Sequence, residues 1–247
     1  MIVRVPLTTT GPLTEAILVA RPNQMLVEAR INGRLVRVQL HDRGRLPEGL
    51  TPGTRLLLAP REEAGRKTAL EVVGVYCGDE LVALDPHLAQ RLVVAALAQG
   101  ALPQFARYTR MQREAMIGSH RFEFRLGEGL HTCLLEVKAA TRVVGGVAYL
   151  PDAPNERERK HLELLGQMAR GGQRCAVLFI IQCSAARALV PDEELDPAFA
   201  RALRLALAAG VEVYAYLCPL SPEGVTLGTP VAVYTALSAI PRSKWKE

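Results

Sequence analysis

Apolar and polar residues alternate near the start of the chain, in short segments separated by turn residues. Residues 24–31 and 35–40 both alternate in this way, which is typical of half-buried strands. Asn32-Gly33 lies between them and is a strong hairpin signal, because both residues tolerate a positive φ. Residues 54–59 and 70–76 are predicted to form two more strands. Several short strands in so few residues favour a small closed barrel, and we expect the OB-like type.

Beyond residue 80 the spacing of apolar residues alternates between that of helices and that of strands. Helices are predicted over residues 87–98, 155–169 and 197–209, with Asn155 as the N-cap of the second. Strands are predicted over residues 122–126, 132–138, 176–181 and 211–216. This order predicts an α/β fold with a mixed central sheet flanked by helices. We therefore expect an OB-like barrel domain over residues 1–79 and an α/β domain over residues 80–247.

The composition is that of a soluble globular protein, with 49% hydrophobic and 22% charged residues. No apolar run reaches the ~18 residues that cross a bilayer, and the N-terminal residues lack the apolar core of a signal peptide. We therefore expect a cytoplasmic protein with no membrane partner. The five cysteines show no CxxC spacing and are expected to be free, mostly buried thiols. The oligomeric state is not set by the sequence, and a homodimer is left open.

Positive charge is concentrated in the middle of the chain. The net charge is +5, and residues 107–174 contain 12 Lys or Arg against 8 Asp or Glu, a surplus of four. A basic surplus in one region suits a polyanionic partner such as nucleic acid.

Three carboxylates and one lysine lie on or beside the short apolar runs of residues 113–141. They are Glu114, Glu123, Glu136 and Lys138. One residue separates Glu136 from Lys138, so on a strand their side chains share one face. Mg²⁺ and Mn²⁺ prefer oxygen ligands. Glu123 and Glu136, with the backbone carbonyl of Val137, are therefore a candidate metal site, and Glu114 could hold a second metal or a water.

Lys138 would then orient the attacking water or neutralise the charge that develops on a phosphate. Together these residue types predict a metal-dependent phosphodiesterase centre. The E-x-K spacing alone is common, and charged side chains on a solvated strand face explain most of its occurrences. Spacing therefore leaves both interpretations open.

Nearly the whole chain resembles the SfsA, or sugar fermentation stimulation protein, family, and the order of its acids and lysine resembles that of PD-(D/E)XK nucleases. Similar segments occur in the same order at residues 21–23, 44–46, 52–53, 66–68, 113–114, 118–119, 121–124, 135–138, 151–153 and 160–162. The resemblance implies an OB-like N-terminal domain and a nuclease-like C-terminal domain. It also implies DNA binding and a regulatory role in sugar metabolism.

The resemblance further implies which residues form the site. By position these would be Glu114, Glu123, Glu136 and Lys138, with Thr141 beside them and Mg²⁺ or Mn²⁺ as the cofactor. Nucleic acid, DNA in particular, is expected to contact Arg113, Arg121, Thr141, Arg157, Lys160, Arg21 and Arg45.

Two departures from the family pattern bear on activity. The family's second acid is usually Asp, whereas this chain has Glu123, which is one methylene longer, with His120 inserted in the motif. Where the family has T-x-R-G, residues 155–158 read N-E-R-E, which replaces the glycine with Glu158. Two functions therefore stay open. One is a metal-dependent nuclease, and the other is a non-catalytic DNA-binding regulator of sugar metabolism with a degenerate nuclease site.

Two other regions carry weaker signals. On the predicted helix, Arg157 is equally well explained by phosphate contact or by a solvated, salt-bridged face, and we expect His161 on that solvated face. In the barrel, Tyr76 is the only aromatic residue before Phe105. Binding there would therefore be to phosphate rather than by base stacking.

Overall fold

The computed structural model describes residues 2–40, 50–61, 68–85 and 87–241. In the N-terminal part the strands are β1 (Arg4–Val5), β2 (Thr14–Asn23), β3 (Leu26–Ile31), β4 (Arg34–Gln39), β5 (Arg55–Pro60), β6 (Leu70–Cys77) and β7 (Glu80–Ala83). The next elements are α1 (Leu88–Ala98), β8 (Met111–Ile117), β9 (His120–Glu128), β10 (His131–Ala140), β11 (Val143–Val144), β12 (Val147–Leu150) and α2 (Glu156–Arg170). The last are β13 (Arg174–Ile181), β14 (Ala188–Pro191), α3 (Pro197–Ala208), β15 (Glu212–Leu217), β16 (Leu220–Ser221), β17 (Gly224–Thr226) and β18 (Pro230–Val233).

The N-terminal strands form the OB-like barrel that the alternation predicts. They run in the order β4-β3-β2-β5-β6, and a parallel pairing of Gln39 with Glu71 joins β4 to β6 and closes the barrel. The β3–β4 hairpin turns at Asn32 and Gly33, whose φ angles are 47° and 82°. β2 was not predicted as a strand, because Ile17 and Leu18 break the alternation: Leu18 is buried, while Ile17 on the outer face is 43% exposed.

The C-terminal part is built on a nine-stranded mixed sheet, in agreement with the predicted α/β class. Its order is β11-β12-β14-β18-β15-β13-β10-β9-β8, with parallel pairs such as β10–β13 and antiparallel pairs such as β9–β10. The buried side chains of α2 and α3 pack against one face, with Leu134, Val177 and Phe179. Those of α1 pack against the other face, with Leu135 and Leu178. The central strand β13 is therefore covered on both sides, as its uninterrupted apolar sequence predicts.

The barrel and the sheet share one hydrophobic core. Leu57 of β5 and Val73 of β6 pack in the same buried cluster as Leu92 of α1 and Leu135 of β10. The boundary expected after residue 79 lies in the turn between β6 and β7, and β7 pairs with β6 of the barrel. The first strand, β1, pairs with β17 rather than with the barrel. The two parts are thus held together by packing as well as by the chain.

In the described ranges, no helix is both long enough and apolar enough to cross a bilayer. The cysteines are all free, as predicted, and each is buried except Cys77, which is half-buried.

Candidate functional site

The predicted acids lie where strands β9 and β10 separate. Regular pairing of these strands ends at Leu135 and Phe124. Beyond that point, the Val137 N–H donates to Oε2 of Glu123 over 2.6 Å, and the Glu123 N–H donates to Oε2 of Glu136 over 3.4 Å. Side-chain carboxylates therefore take the place of the missing strand-to-strand hydrogen bonds, and this holds both acids at the divergence.

The backbone around Glu123 departs from a regular strand. Glu114, which lies across from Glu123 in the β8–β9 register, has a φ of 49°, in the left-handed region that a non-glycine residue rarely adopts. Phe122 packs in the core beside α2 and α3, whereas Phe124 packs in the core beside α1. Residues two apart on a regular strand would share a face, so β9 twists at Glu123. Backbone conformations such as that of Glu114 cluster at functional sites.

Glu136 is the most deeply buried charge of the site, with 3% of its side chain exposed. Its Oε1 accepts hydrogen bonds from Nζ of Lys138 at 3.0 Å and contacts Nδ1 of His161 at 2.8 Å. Burial disfavours the carboxylate, but the His161 and Lys138 hydrogen bonds outweigh this effect and lower the pKa of Glu136. Glu136 and Lys138 share a face, as the strand period predicts.

Glu123 is held differently. Its Oε1 accepts a hydrogen bond from Nε2 of Gln90 on α1, over 2.7 Å. Burial and the nearby Glu136 carboxylate nevertheless raise the pKa of Glu123 to about 7. Two neighbouring carboxylates thus have pKa values shifted in opposite directions, because only Glu136 is in direct contact with Lys138 and His161.

Two more ionisable side chains, Lys138 and Glu158, line the site. Burial disfavours the ammonium of Lys138, but the surrounding carboxylates, Glu136 foremost, outweigh that cost and raise the pKa of Lys138. Burial also raises the pKa of Glu158, at the start of α2. Glu158, which replaces the glycine of the pattern, therefore lines the cleft and adds to the negative charge around Lys138.

These side chains line a cleft of ≈ 480 Å³. The four predicted catalytic residues all contribute to its wall, namely Glu114, Glu123, Glu136 and Lys138. Three of the predicted nucleic-acid contacts are also there, namely Arg113, Arg121 and Arg157. The fold thus brings together residues from β8, β9, β10 and α2 that are far apart in sequence.

Other predicted contacts lie outside this cleft. Thr141 donates a hydrogen bond to Asp152 over 2.7 Å, and Lys160 forms an exposed ion pair with Glu156 on α2. Arg21 lies on the exposed end of β2 in the barrel. Arg45 lies outside the described residues.

Sequence reasoning missed two contacts to the acids. His161 was expected on a solvated helix face, but its side chain is only 21% exposed and contacts Glu136. Gln90 was not singled out, because a glutamine in an otherwise apolar helix carries no signal before the fold places it 2.7 Å from Glu123. One sequence signal links His161 to the site. It follows Glu158 by three residues, and residues three apart lie on the same side of a helix.

The donor set fits a hard divalent cation. Within the described ranges, no group of three or more His, Cys, Asp or Glu side chains is arranged as a ready-made metal site. Mg²⁺ does not require one, since it is commonly held by one or two carboxylates together with water and phosphate oxygens. Glu123 and Glu136 supply two carboxylates; burial and then repulsion from Glu136 raise the pKa of Glu123, and a bound cation would relieve that repulsion.

Comparison with known proteins covers both parts of the chain. Residues 19–84 match the SfsA N-terminal OB domain, and residues 87–224 match the sugar fermentation stimulation protein RE domain. A sugar fermentation stimulation protein homolog of Chloroflexus aurantiacus is 60% identical over 97% of this chain and 92% of its own length. A homolog from Moorella thermoacetica is 43% identical over 90% of this chain and 96% of its own length.

A solved structure is also similar. It is titled as the structure of Pyrococcus furiosus SfsA in complex with Ca²⁺. The match has a TM-score of 0.80 and 27% sequence identity, and it covers 93% of this chain and 99% of that one. The likeness therefore extends over nearly the whole of both chains.

Proposed function

The chain belongs to the SfsA family, and we propose that it is a divalent-metal-dependent phosphodiesterase that cleaves nucleic acid, with DNA as the first substrate to test. One observation carries this proposal. Glu123, Glu136 and Lys138 line a single cleft at the point where β9 and β10 separate. Burying two acids and a lysine together is costly, and a purely structural role would be served better by apolar side chains.

The similar Pyrococcus furiosus protein supports the choice of cation, because its structure is a complex with Ca²⁺. Ca²⁺ and Mg²⁺ are both bound by oxygen ligands. In this chain Glu123 and Glu136 would hold the ion, and we propose Mg²⁺ or Mn²⁺ as the working cofactor. When bound, such an ion neutralises phosphate charge and makes an attacking water more acidic.

The chain's own residues then have distinct tasks. Lys138, fixed by its 3.0 Å contact with Glu136, places an ammonium group in the cleft where negative charge develops on a phosphate. His161 contacts the same oxygen, Oε1 of Glu136, and so helps to fix the carboxylate. Arg113 and Arg121 line the same cleft and offer phosphate contacts that orient the strand without reading its sequence.

The test is cleavage of single-stranded and duplex DNA and RNA with Mg²⁺, Mn²⁺ or no metal. Lys138→Met and Glu136→Gln keep the side-chain volume and should lower metal-dependent cleavage about 100-fold or more, since one electrostatic contact in an active site has that effect. Arg201→Ala, on the exposed side of α3, is the matched control and should cleave like the wild type. Equal cleavage by the wild type and both site variants would rule out this centre.

A second function is favoured by one feature of the site. Both oxygens of Glu123 already accept hydrogen bonds, from Gln90 and from Val137, and Glu158 adds a further acid to the cleft. The chain could therefore bind DNA as a regulator of sugar metabolism without cutting it. That function predicts salt-sensitive DNA binding, no cleavage, and no heat of Mg²⁺ or Mn²⁺ binding in calorimetry.

A further inference from the structure

A second cavity lies beside the cleft, between the tip of the β8–β9 hairpin and the outer side of α2. Its volume is ≈ 350 Å³, within the range of small-molecule sites. His120, the first residue of β9, lines one side. Lys160 and Leu164 line the other, from positions one helical turn apart on α2.

The second cavity continues the first. Arg157 and His161 line both of them, so the two cavities adjoin. His161 also contacts Glu136, which places the junction next to the candidate metal ligands. A strand whose phosphate lay in the cleft would therefore have its adjoining nucleotide directed toward the second cavity.

The chemistry of this second cavity suits a base flanked by phosphates. His120 is exposed and offers a flat ring for stacking, and Leu164 offers an apolar surface. Arg157 and Lys160 are the basic residues at the same place; among the described residues Glu156 is the one acid lining it, and it pairs with Lys160. In single-stranded nucleic acid, the base stacks on rings and apolar side chains, and the flanking phosphates bind basic side chains.

From this arrangement we propose that the second cavity is a nucleobase subsite, and that the substrate class is single-stranded nucleic acid or an unpaired end. The proposal rests on the proposed function, because it takes the cleft as the position of the scissile phosphate. In a duplex the base is paired and stacked, so it would have to leave the helix before it could enter a cavity beside the phosphate. A single strand presents its bases without that cost.

The test measures binding rather than cleavage. Fluorescein-labelled dT10 and a 10-base-pair duplex are titrated with the wild-type protein and two subsite variants, in buffer containing Ca²⁺. His120→Ala removes the ring, and Leu164→Phe fills the space. Each should weaken dT10 binding about 5-fold or more, since one base-stacking contact has at least that effect. Duplex binding should change less than about 2-fold, because backbone contacts dominate it.

Two matched variants complete the design. Arg157→Ala lies in both cavities and should weaken both probes, as expected for a phosphate contact. Arg201→Ala, away from both, should change neither. The subsite is refuted if His120→Ala and Leu164→Phe leave dT10 binding unchanged, or if they weaken dT10 and duplex equally.

Cleavage by the same proteins separates this inference from the proposed function. A wild type that cleaves, with dT10 binding unaffected in both subsite variants, overturns the subsite and keeps the phosphodiesterase. A wild type that never cleaves, but loses dT10 affinity on His120→Ala, overturns the phosphodiesterase and keeps the subsite.

Discussion

The barrel and the cleft both carry many charged residues but arrange them in opposite ways. On the barrel, Arg37 pairs with Glu28 at 3.3 Å and Arg55 pairs with Glu15 at 3.2 Å, on the outer surface, where 70% of the Arg37 side chain is exposed. In the cleft, the Glu136 carboxylate is 3% exposed and contacts two donors.

The difference indicates which charged residues should change the stability of the protein when they are substituted. Exposed pairs contribute about 0–1 kcal/mol, because water and salt screen them. A buried pair contributes little net stability, yet removing one partner costs several kcal/mol, because the other is left buried without compensation. The cleft is therefore the part of the molecule where a single polar substitution should matter, for stability as well as for activity.

The largest effect is expected from Glu136→Ala in metal-free protein. The substitution leaves Lys138 and His161 without their shared acceptor, and we expect a loss of about 3 kcal/mol in the free energy of unfolding. Urea denaturation measures it. Adding Lys138→Met should restore part of the loss, because it removes the unpaired cation. A loss below about 1 kcal/mol would show that the cleft tolerates an unpaired charge.

Glu123 should instead destabilise the metal-free protein as the pH rises. Its pKa is about 7 in the folded chain and about 4.5 when unfolded, so the folded state retains the proton longer. Stability from this group is complete below pH 4.5 and is lost as the pH rises through 7. Glu123→Gln should therefore be more stable than the wild type at pH 8, by up to about 3 kcal/mol at about 1.4 kcal/mol per pKa unit, and equal to it at pH 4. A difference in unfolding free energy between the variant and the wild type that stays constant from pH 4 to pH 8 would contradict the raised pKa of Glu123.

A smaller effect is expected from Gln90→Ala. The substitution removes the 2.7 Å hydrogen bond to Glu123, and we expect a loss of about 1 kcal/mol at pH 8. At pH 5 the loss should be smaller, because Glu123 is then protonated. Gln99→Ala, at the exposed C-cap position just after α1, is the control. A loss that does not depend on pH would point to helix packing rather than to the contact with Glu123.

The smallest effect is expected on the barrel. Glu28→Ala breaks the surface pair with Arg37, and we expect a change below about 0.5 kcal/mol that disappears in 1 M salt. Thermal unfolding at low and high salt measures it. A loss comparable to that of Glu136→Ala would remove the distinction between the two regions.

The local sequence pattern was sufficient to predict many of the helices and strands. The β3–β4 hairpin followed from Asn32-Gly33, and the start of α2 followed from Asn155, whose side chain accepts from the N–H groups of Arg157 and Glu158. The order of the nine strands did not follow from pattern. β18, for example, lies between β14 and β15 and pairs parallel with one and antiparallel with the other, a choice that depends on packing distant in sequence.

The same limit applies to the candidate site. The shared face of Glu136 and Lys138 is a property of two nearby residues on one strand, so the sequence alone predicts it. The contacts of Gln90 with Glu123 and of His161 with Glu136 join residues 33 and 25 positions apart on different elements. They exist only once α1 and α2 have packed on opposite faces of the sheet. Sequence therefore located the acids, and tertiary structure supplied their partners.

The pairing of β1 with β17 has a consequence for synthesis on the ribosome. Arg4 leaves the exit tunnel well before Thr226, because the Thr226 hydroxyl to which it donates lies 222 positions later. The residues between β1 and β17 must therefore emerge before β1 finds its partner. Until then the edge of β1, with Val3 and Val5 beside it, stays open to other chains. β1 is thus translated long before β17, and it reaches its final place only after β17 has been made.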